Sequence, residues 1–253
     1  MGLISKYGYL VPGLVSTLFL IVIYFNVIYS YFCNYSEFHL SFFPSISRFS
    51  GVFPQRVFFC IGLNFISFGL IPSIFLRLYV FLFIRRLSLC FSVLFVFSSV
   101  FLVSSVCLLS ATSLFDNSTA HNIFAACTFL SLLVFFLFWS FQDVLDFIKN
   151  KKCSFVCLFV FRACLLFTLI ILCVLTLISF GLQIVSLPWY PFSVSKTVFA
   201  AFEFTYVFVS LAFSASLSID HYFMQKEKDA FHQRLLSASV NGMDNSGTAY
   251  TEK

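Results

Sequence analysis

Residues 153–182 form the stretch CSFVCLFVFRACLLFTLIILCVLTLISFGL, in which Arg162 is the only charged side chain. An α-helix needs about 20 predominantly apolar residues to cross the roughly 30 Å hydrocarbon core of a bilayer, so this stretch can span a membrane. Five further runs also satisfy this requirement: residues 10–32, 57–83, 89–112, 122–141 and 198–219. The sequence therefore predicts an all-α, polytopic membrane protein, a bundle of six transmembrane helices.

Composition and charge placement agree with this prediction. Of the 253 residues, 60% are hydrophobic and only 10% are charged, whereas soluble domains carry about 25% charged residues. Inside the six runs the charged residues are Arg77, Arg162 and Glu203. The strands of a membrane barrel are about 9–11 residues long and alternate in polarity, so these longer continuous runs favour helices.

The orientation follows from Lys and Arg in the connections between runs. Nine lie on the side of the N-terminus: Lys6, Arg85, Arg86, Lys149, Lys151, Lys152, Lys226, Lys228 and Arg234. Three lie on the other side: Arg48, Arg56 and Lys196. Positive charge collects on the cytosolic side of a membrane, which predicts cytosolic N- and C-termini and explains the net charge of +5 without a nucleic-acid partner. The two N-glycosylation sequons, at Asn34 and Asn117, both fall on the predicted lumenal side.

Two segments outside the spans stand out. The lumenal connection, residues 33–56, is long for a simple turn and contains two prolines, which is typical of a functional loop. Residues 1–224 are predicted to form the six-span membrane domain. Residues 225–253 are predicted to form a cytosolic, largely disordered tail, with one or two helical turns as far as Leu236.

Glu203 is the one acidic residue within a predicted span. A carboxylate in lipid costs about 2.5 kcal/mol or more, so it is expected to be paired, protonated or beside a wet cavity. At helical spacing it shares a face with Tyr206, Ser210 and Ser214. This polar stripe indicates either a functional site or a packing face with a structural hydrogen bond.

Four polar residues lie at similar depth on the predicted lumenal side: Arg56, Asn64, His121 and Glu203. We expect them to line one pocket at the membrane edge. On this hypothesis Glu203→Gln and His121→Ala abolish activity without changing expression, whereas purely structural roles would lower expression. Arg77 and Arg162 are expected either to snorkel to the cytosolic interface or to hold helix ends through carbonyls, Asp143 or Asp146.

Signatures of soluble enzymes are missing from the sequence: it contains no GxGxxG, no phosphate-binding loop, no G-x-S-x-G and no HExxH. The nine Cys include no CxxC and no His/Cys cluster at zinc spacing. We therefore expect neither a metal nor another cofactor. Composition and spacing lead to a six-helix bundle with a candidate polar site.

Four short motifs resemble one known family. They are Phe53–Leu63 (FPQRVFFCIGL), Pro44–Ser47 (PSIS), Phe202–Phe213 (FEFTYVFVSLAF) and His121 at the start of the fourth span. Together they are similar to the Frag/DRAM/Sfk family of six-span membrane proteins, and most similar to its post-GPI-attachment branch. The chain departs from that branch at Asn122, where the branch has Glu, and at Ser214, where it has His.

The resemblance implies GPI-anchor lipid remodelling in the Golgi membrane or the endoplasmic reticulum. The step would be the reacylation of lyso-GPI, with the chain as the acyltransferase or as its required partner. The expected partners are membrane lipids, lyso-GPI or GPI-anchored proteins, and a second membrane protein. The resemblance suggests Arg56 as a phosphate clamp and His121 as a general base.

Two other functions stay open at this stage. One is a non-enzymatic scaffold or trafficking protein of the kind that the DRAM and Sfk branches suggest. The other is a small-solute or proton-coupled transporter with Glu203 in its path.

Overall fold

The computed structural model of the chain describes residues 10–32, 44–79, 82–83, 89–150, 153–185 and 192–247. These ranges contain helices that we number in chain order: α1 (Val11–Phe32), α2 (Ile46–Phe49), α3 (Gln55–Tyr79), α4 (Leu89–Ala111), α5 (Ser118–Asn150), α6 (Cys153–Val185) and α7 (Phe192–Gly247). All but the short α2 are long and apolar enough to cross a membrane. The predicted all-α architecture with six helices of spanning length is confirmed.

The outer surface of the bundle is apolar. Large side chains such as Phe75, Phe97 and Phe167 are 66%, 70% and 66% exposed. Soluble monomers rarely expose apolar patches beyond a few hundred Å², because such surfaces stick to one another in water. An apolar belt of this kind is the surface that contact with lipid requires.

The six long helices form a closed ring. Each packs against the next one in the chain, from α1 through α3, α4, α5 and α6 to α7, and α7 returns to α1. Short connections such as residues 112–117 favour antiparallel neighbours, which explains this order. The two neighbours of α1 in this ring, α3 and α7, also contact each other.

Glycines on α3 allow a close approach to α1. A Cβ atom on Gly62 would lie 2.7 Å from Phe19, and one on Gly69 would lie 2.6 Å from Val15. Small residues let helix backbones approach closely in membranes, where van der Waals packing holds helices together. The α1–α3 contact therefore depends on the missing side chains at these two positions.

Five fully buried aromatic side chains fill the bundle at one level: Phe95, Phe135, Phe136, Trp139 and Phe213. The ring centroids of Phe136 and Phe213 are 4.2 Å apart, and those of Phe135 and Trp139 are 5.5 Å apart. We call this group the aromatic floor. It closes the interior between α4, α5 and α7.

Arg77 and Arg162 lie inside the bundle and share Asp143. Arg162 is 1% exposed, and its Nη1 donates to Asp143 Oδ2 at 3.0 Å; Arg77 is 2% exposed, and its Nη2 lies 3.6 Å from Asp143 Oδ1. Arg162 also donates to the hydroxyl and carbonyl oxygens of Ser216 at 2.9 Å and 2.6 Å. Of the two expectations for these arginines, internal pairing is observed and snorkelling is not.

The last helix is longer than the predicted span of 198–219. It runs to Gly247, so residues 225–247 are helical where the sequence predicted a largely disordered tail with a turn or two of helix; residues 248–253 lie outside the described part. Good helix formers in the segment from Gln225 to Leu236 account for the continuation. The Tyr79 hydroxyl lies 3.3 Å from Nε2 of His232, which ties this extension to α3.

Candidate functional site

The carboxylate of Glu203 caps the first turn of α2. Oε2 accepts a hydrogen bond from the backbone N–H of Ile46 at 2.8 Å, and Oε1 accepts one from the hydroxyl of Ser47 at 3.1 Å. The first N–H groups of a helix lack partners within the helix, and negative charge near them is favourable. Within the described chain the side chain of Ser45, the residue before α2, makes no capping bond. Glu203 supplies the cap from α7 and is itself only 5% exposed.

A second set of buried amides holds the other end of α2. The Nδ2 group of Asn26 donates to the hydroxyl of Ser50 at 3.2 Å and to the carbonyl of Gln55 at 3.3 Å. The Nε2 group of Gln55 donates to the hydroxyl of Ser30 at 3.0 Å. The described part of the predicted lumenal connection is therefore fastened to α1 and α7. Residues 33–43 of that connection, including Asn34, lie outside the described residues.

A polar cavity lies beside α2, with about 700 Å³ of space between its atoms, including its mouth. His121 and Glu203 both line it, as the sequence predicted. Two cations that the sequence analysis used only for orientation, Arg48 and Lys196, line it as well. Two cations and an imidazole around one space favour an anionic ligand, phosphate above all.

The imidazole ring of His121 is buried, and its two nitrogen atoms have different surroundings. It is 4% exposed, and its Nδ1 atom lies 2.9 Å from the carbonyl oxygen of Thr112. A carbonyl only accepts hydrogen bonds, so Nδ1 carries the proton and Nε2 of the neutral ring holds the lone pair. Nε2 is buried and finds no partner among the described residues. The lone pair that a general base needs is therefore on Nε2.

An apolar cavity lies next to the polar one, inside the bundle. It has about 840 Å³ of space between its atoms, including its opening, and its exposed surface is almost entirely apolar, although Ser, Thr and Glu side chains also line it. The two cavities share four wall residues: Ser47, Ala125, Phe129 and Glu203. From there the apolar cavity reaches Leu70 on α3, Leu132 on α5 and Ser214 on α7. A polar cavity beside an apolar one fits an amphipathic ligand.

Arg56 is next to the polar cavity and does not line it. It lines a smaller space together with His121 and Ser47, and its Nη1 lies 2.7 Å from Oδ2 of Asp116. Both side chains of this ion pair are substantially exposed, at 38% and 59%. The guanidinium therefore holds the connection between α4 and α5.

Asn64 lies in the contact between α3 and α4. Its Nδ2 group donates to the carbonyl of Cys60 at 2.8 Å and to the hydroxyl of Ser110 at 3.1 Å, which links α3 to α4. It lines none of the three cavities just described. Of the four residues expected in one pocket, the structure brings two together, places Arg56 beside them and puts Asn64 in a helix contact.

Arg48, Lys196 and Ser47 were not predicted as site residues. One signal was available for two of them, since Arg48 directly follows the PSIS motif that contains Ser47. The two departures from the family pattern also fall on cavity walls, Asn122 in the polar cavity and Ser214 in the apolar one.

At the other sequon, Asn117 is exposed and accepts a hydrogen bond from the N–H of Ala120 at 3.0 Å. The described residues contain no group of three or more His, Cys, Asp or Glu that could hold a metal ion.

No protein-family model matches the chain, and no curated protein and no solved structure matches it. Two of the four motifs of the resemblance meet in space: Glu203 of the segment Phe202–Phe213 accepts hydrogen bonds from Ile46 and Ser47 of the segment Pro44–Ser47. These residues and the two adjacent cavities are the features of the structure that bear on function.

Proposed function

We propose that this protein takes part in GPI-anchor lipid remodelling in the secretory pathway, in the reacylation of lyso-GPI. One observation carries the proposal: a cation-lined polar cavity shares four wall residues with an apolar cavity inside the bundle. A lyso-GPI has matching parts, since an anionic phosphate and a glycerol hydroxyl lie next to a hydrocarbon chain. The motif resemblance supports the same substrate.

The proposed topology places α2 and the polar cavity on the lumenal side of a Golgi or endoplasmic reticulum membrane. Its support is the excess of Lys and Arg in the sequence connections on the other side of the spans, with nine against three. GPI anchors face the lumen, so their glycerol would lie at the depth of this cavity.

In the proposed reaction Arg48 and Lys196 bind the phosphate, and Nε2 of His121 accepts the proton of the glycerol hydroxyl. The hydroxyl oxygen forms a new ester bond with the carbonyl carbon of an acyl ester or thioester donor. The donor's bond to its leaving group breaks, and the proton passes from His121 to that leaving group. If the protein is instead the required partner of an acyltransferase, the same cavities would present the lysolipid.

A second candidate, a non-enzymatic scaffold, is favoured by the contacts of Glu203. Both of its carboxylate oxygens are engaged with α2, which is a structural task. A transporter fits less well, because the fully buried rings of the aromatic floor lie beyond the deep end of the apolar cavity and offer an ion no polar group.

The deciding experiment is the acyl composition of GPI anchors in cells that lack the protein, measured by mass spectrometry after complementation. We expect the wild-type protein to restore saturated acyl chains. His121→Asn should not restore them at an equal protein level, because the Asn amide can still donate a hydrogen bond to the carbonyl of Thr112 but lacks the basic Nε2 atom. His232→Asn is the matched control, since His232 is exposed on the extension of α7. An unchanged GPI composition in the deficient cells would refute the proposal, and full rescue by His121→Asn would favour the scaffold.

A further inference from the structure

We infer, building on the proposed function, that the apolar cavity holds a single acyl chain of the lysolipid and limits its length, with Ser214 as the residue that sets the limit. The chain would enter beside Glu203, where the polar and apolar cavities share their wall. Its headgroup would stay with Arg48 and Lys196.

The depth of the cavity suits one chain. Along α7 the wall runs from Glu203 to Ser214, eleven residues. At 1.5 Å per residue this is about 16 Å. One leaflet of a bilayer occupies half of the roughly 30 Å hydrocarbon core, or about 15 Å. A chain that fills one leaflet would therefore reach the level of Ser214 and go no further.

Packed aromatic side chains lie at the deep end of the apolar cavity. Leu132 is the deepest wall residue on α5, and Phe135 and Phe136 of the aromatic floor follow it within about one turn. Ser214 directly follows Phe213, whose ring lies 4.2 Å from that of Phe136. These rings are fully buried and packed against each other. A well-packed interior yields little to an extra methylene, so a longer chain meets resistance.

A lysolipid brings one acyl chain to this cavity. The cavity lies inside a closed ring of helices and has walls on α1, α3, α4, α5 and α7. Ser214 is small, buried and part of the wall at the deep end, so a larger side chain at this position would take up space there. A smaller side chain in place of Leu132 would have the opposite effect, because it would lengthen the cavity.

The test uses the purified full-length protein and a series of lysophosphatidylinositols of graded acyl length, each competing against a fluorescent member of the series. Each buried methylene is worth about fourfold in affinity. We expect Ser214→Leu to weaken binding of the longest chains by roughly tenfold while short chains bind as before. Leu132→Ala should move the optimum to longer chains. Ala212→Leu is the matched control, because Ala212 lies two residues away on the exposed face of α7.

The outcomes separate this inference from the proposed function. Equal effects of Ser214→Leu and Ala212→Leu on every chain length, with no shift in Leu132→Ala, would overturn the length limit. The absence of any lysolipid binding to wild type would overturn it as well. A shifted optimum together with unchanged GPI lipids in deficient cells would support the length limit and refute the GPI assignment. Should Ser214→Leu fail to fold, the shift in Leu132→Ala still decides.

Discussion

Glu203 and Ile46 are joined by a hydrogen bond of 2.8 Å across 157 residues of sequence, from the carboxylate of the last helix to the first backbone N–H of α2. This bond gives a polar residue in an apolar helix a structural task. The other carboxylate oxygen accepts a hydrogen bond from the hydroxyl of Ser47, which lines the polar cavity, the apolar cavity and the small space beside Arg56. The shape of the site therefore depends on the contact between α7 and α2.

The first prediction separates the hydrogen bonds of Glu203 from its charge. Glu203→Gln keeps an acceptor for Ile46 and a polar group for Ser47, so its melting temperature and activity should stay close to those of wild type. This replaces the sequence-based hypothesis that Glu203→Gln abolishes activity, because both carboxylate oxygens are engaged with α2. Glu203→Ala leaves α2 without its cap and should lower the free energy of unfolding by about 2 kcal/mol. Thermal unfolding in detergent and the GPI acyl assay would measure both effects.

Thr205→Ala serves as control for this pair, since Thr205 is exposed on the same helix and bonds only to the carbonyl of Ala201 among the described residues. A Glu203→Gln protein that is stable and inactive would contradict the prediction and assign the charge a role in the chemistry.

The second prediction compares two arginines near the site. Arg48 lines the polar cavity, whereas Arg56 pairs with Asp116 near the surface. Arg48→Gln should weaken binding of lysophosphatidylinositol by roughly tenfold, because a charge-assisted hydrogen bond to phosphate is lost. Arg56→Gln should leave the affinity unchanged and alter stability by about 1 kcal/mol or less, as is usual for exposed ion pairs. The reverse order of the two affinities would restore Arg56 as the phosphate ligand.

The third prediction concerns the buried ion cluster. Asp143→Asn would leave the guanidinium groups of Arg77 and Arg162 without the carboxylate between them. Removing one partner of a buried pair costs about 3–5 kcal/mol, so unfolding should occur at a much lower temperature. Asp229→Asn, at an exposed position on the extension of α7, should have no measurable effect. Similar melting temperatures for the two variants would show that the cluster contributes little to stability.

The fourth prediction uses two glycines. Gly69→Ala puts a methyl group 2.6 Å from Val15, so α1 and α3 must separate and the protein should be destabilised. Gly181→Ala meets nothing within 4 Å and should stabilise α6 slightly, by about 0.5–1 kcal/mol. Fluorescence-detected size exclusion after heating would rank the two variants against wild type. Equal tolerance of both would mean that the α1–α3 contact can relax.

The sequence predicted helices better than it predicted contacts. Span boundaries could be read from charge-free runs, because a charged group in lipid is costly at almost any point of a span. The pocket was predicted from residue depth alone, which cannot tell the direction of a side chain around a helix. His121 and Glu203 do face the predicted pocket. Asn64 lies at a similar depth but faces α4, which residue depth could not show.

The end of α7 lies beyond the predicted span for a related reason. The polar segment after the last span was predicted to be largely disordered, with a turn or two of helix, because it buries little apolar surface; in the structure its helix propensity and its contact with Tyr79 accompany a longer helix. The two buried arginines left two expectations open, and the position of Asp143 on the facing helix decided between them.

Taken by itself, the sequence determined that this chain has six helices suited to lipid, since hydrophobicity is a property of each segment alone. The tertiary structure decided which polar side chains face the same space, because that depends on the rotation and packing of each helix against its neighbours. Arg48 and Lys196 joined the site in this way, and Glu203 became the cap of α2.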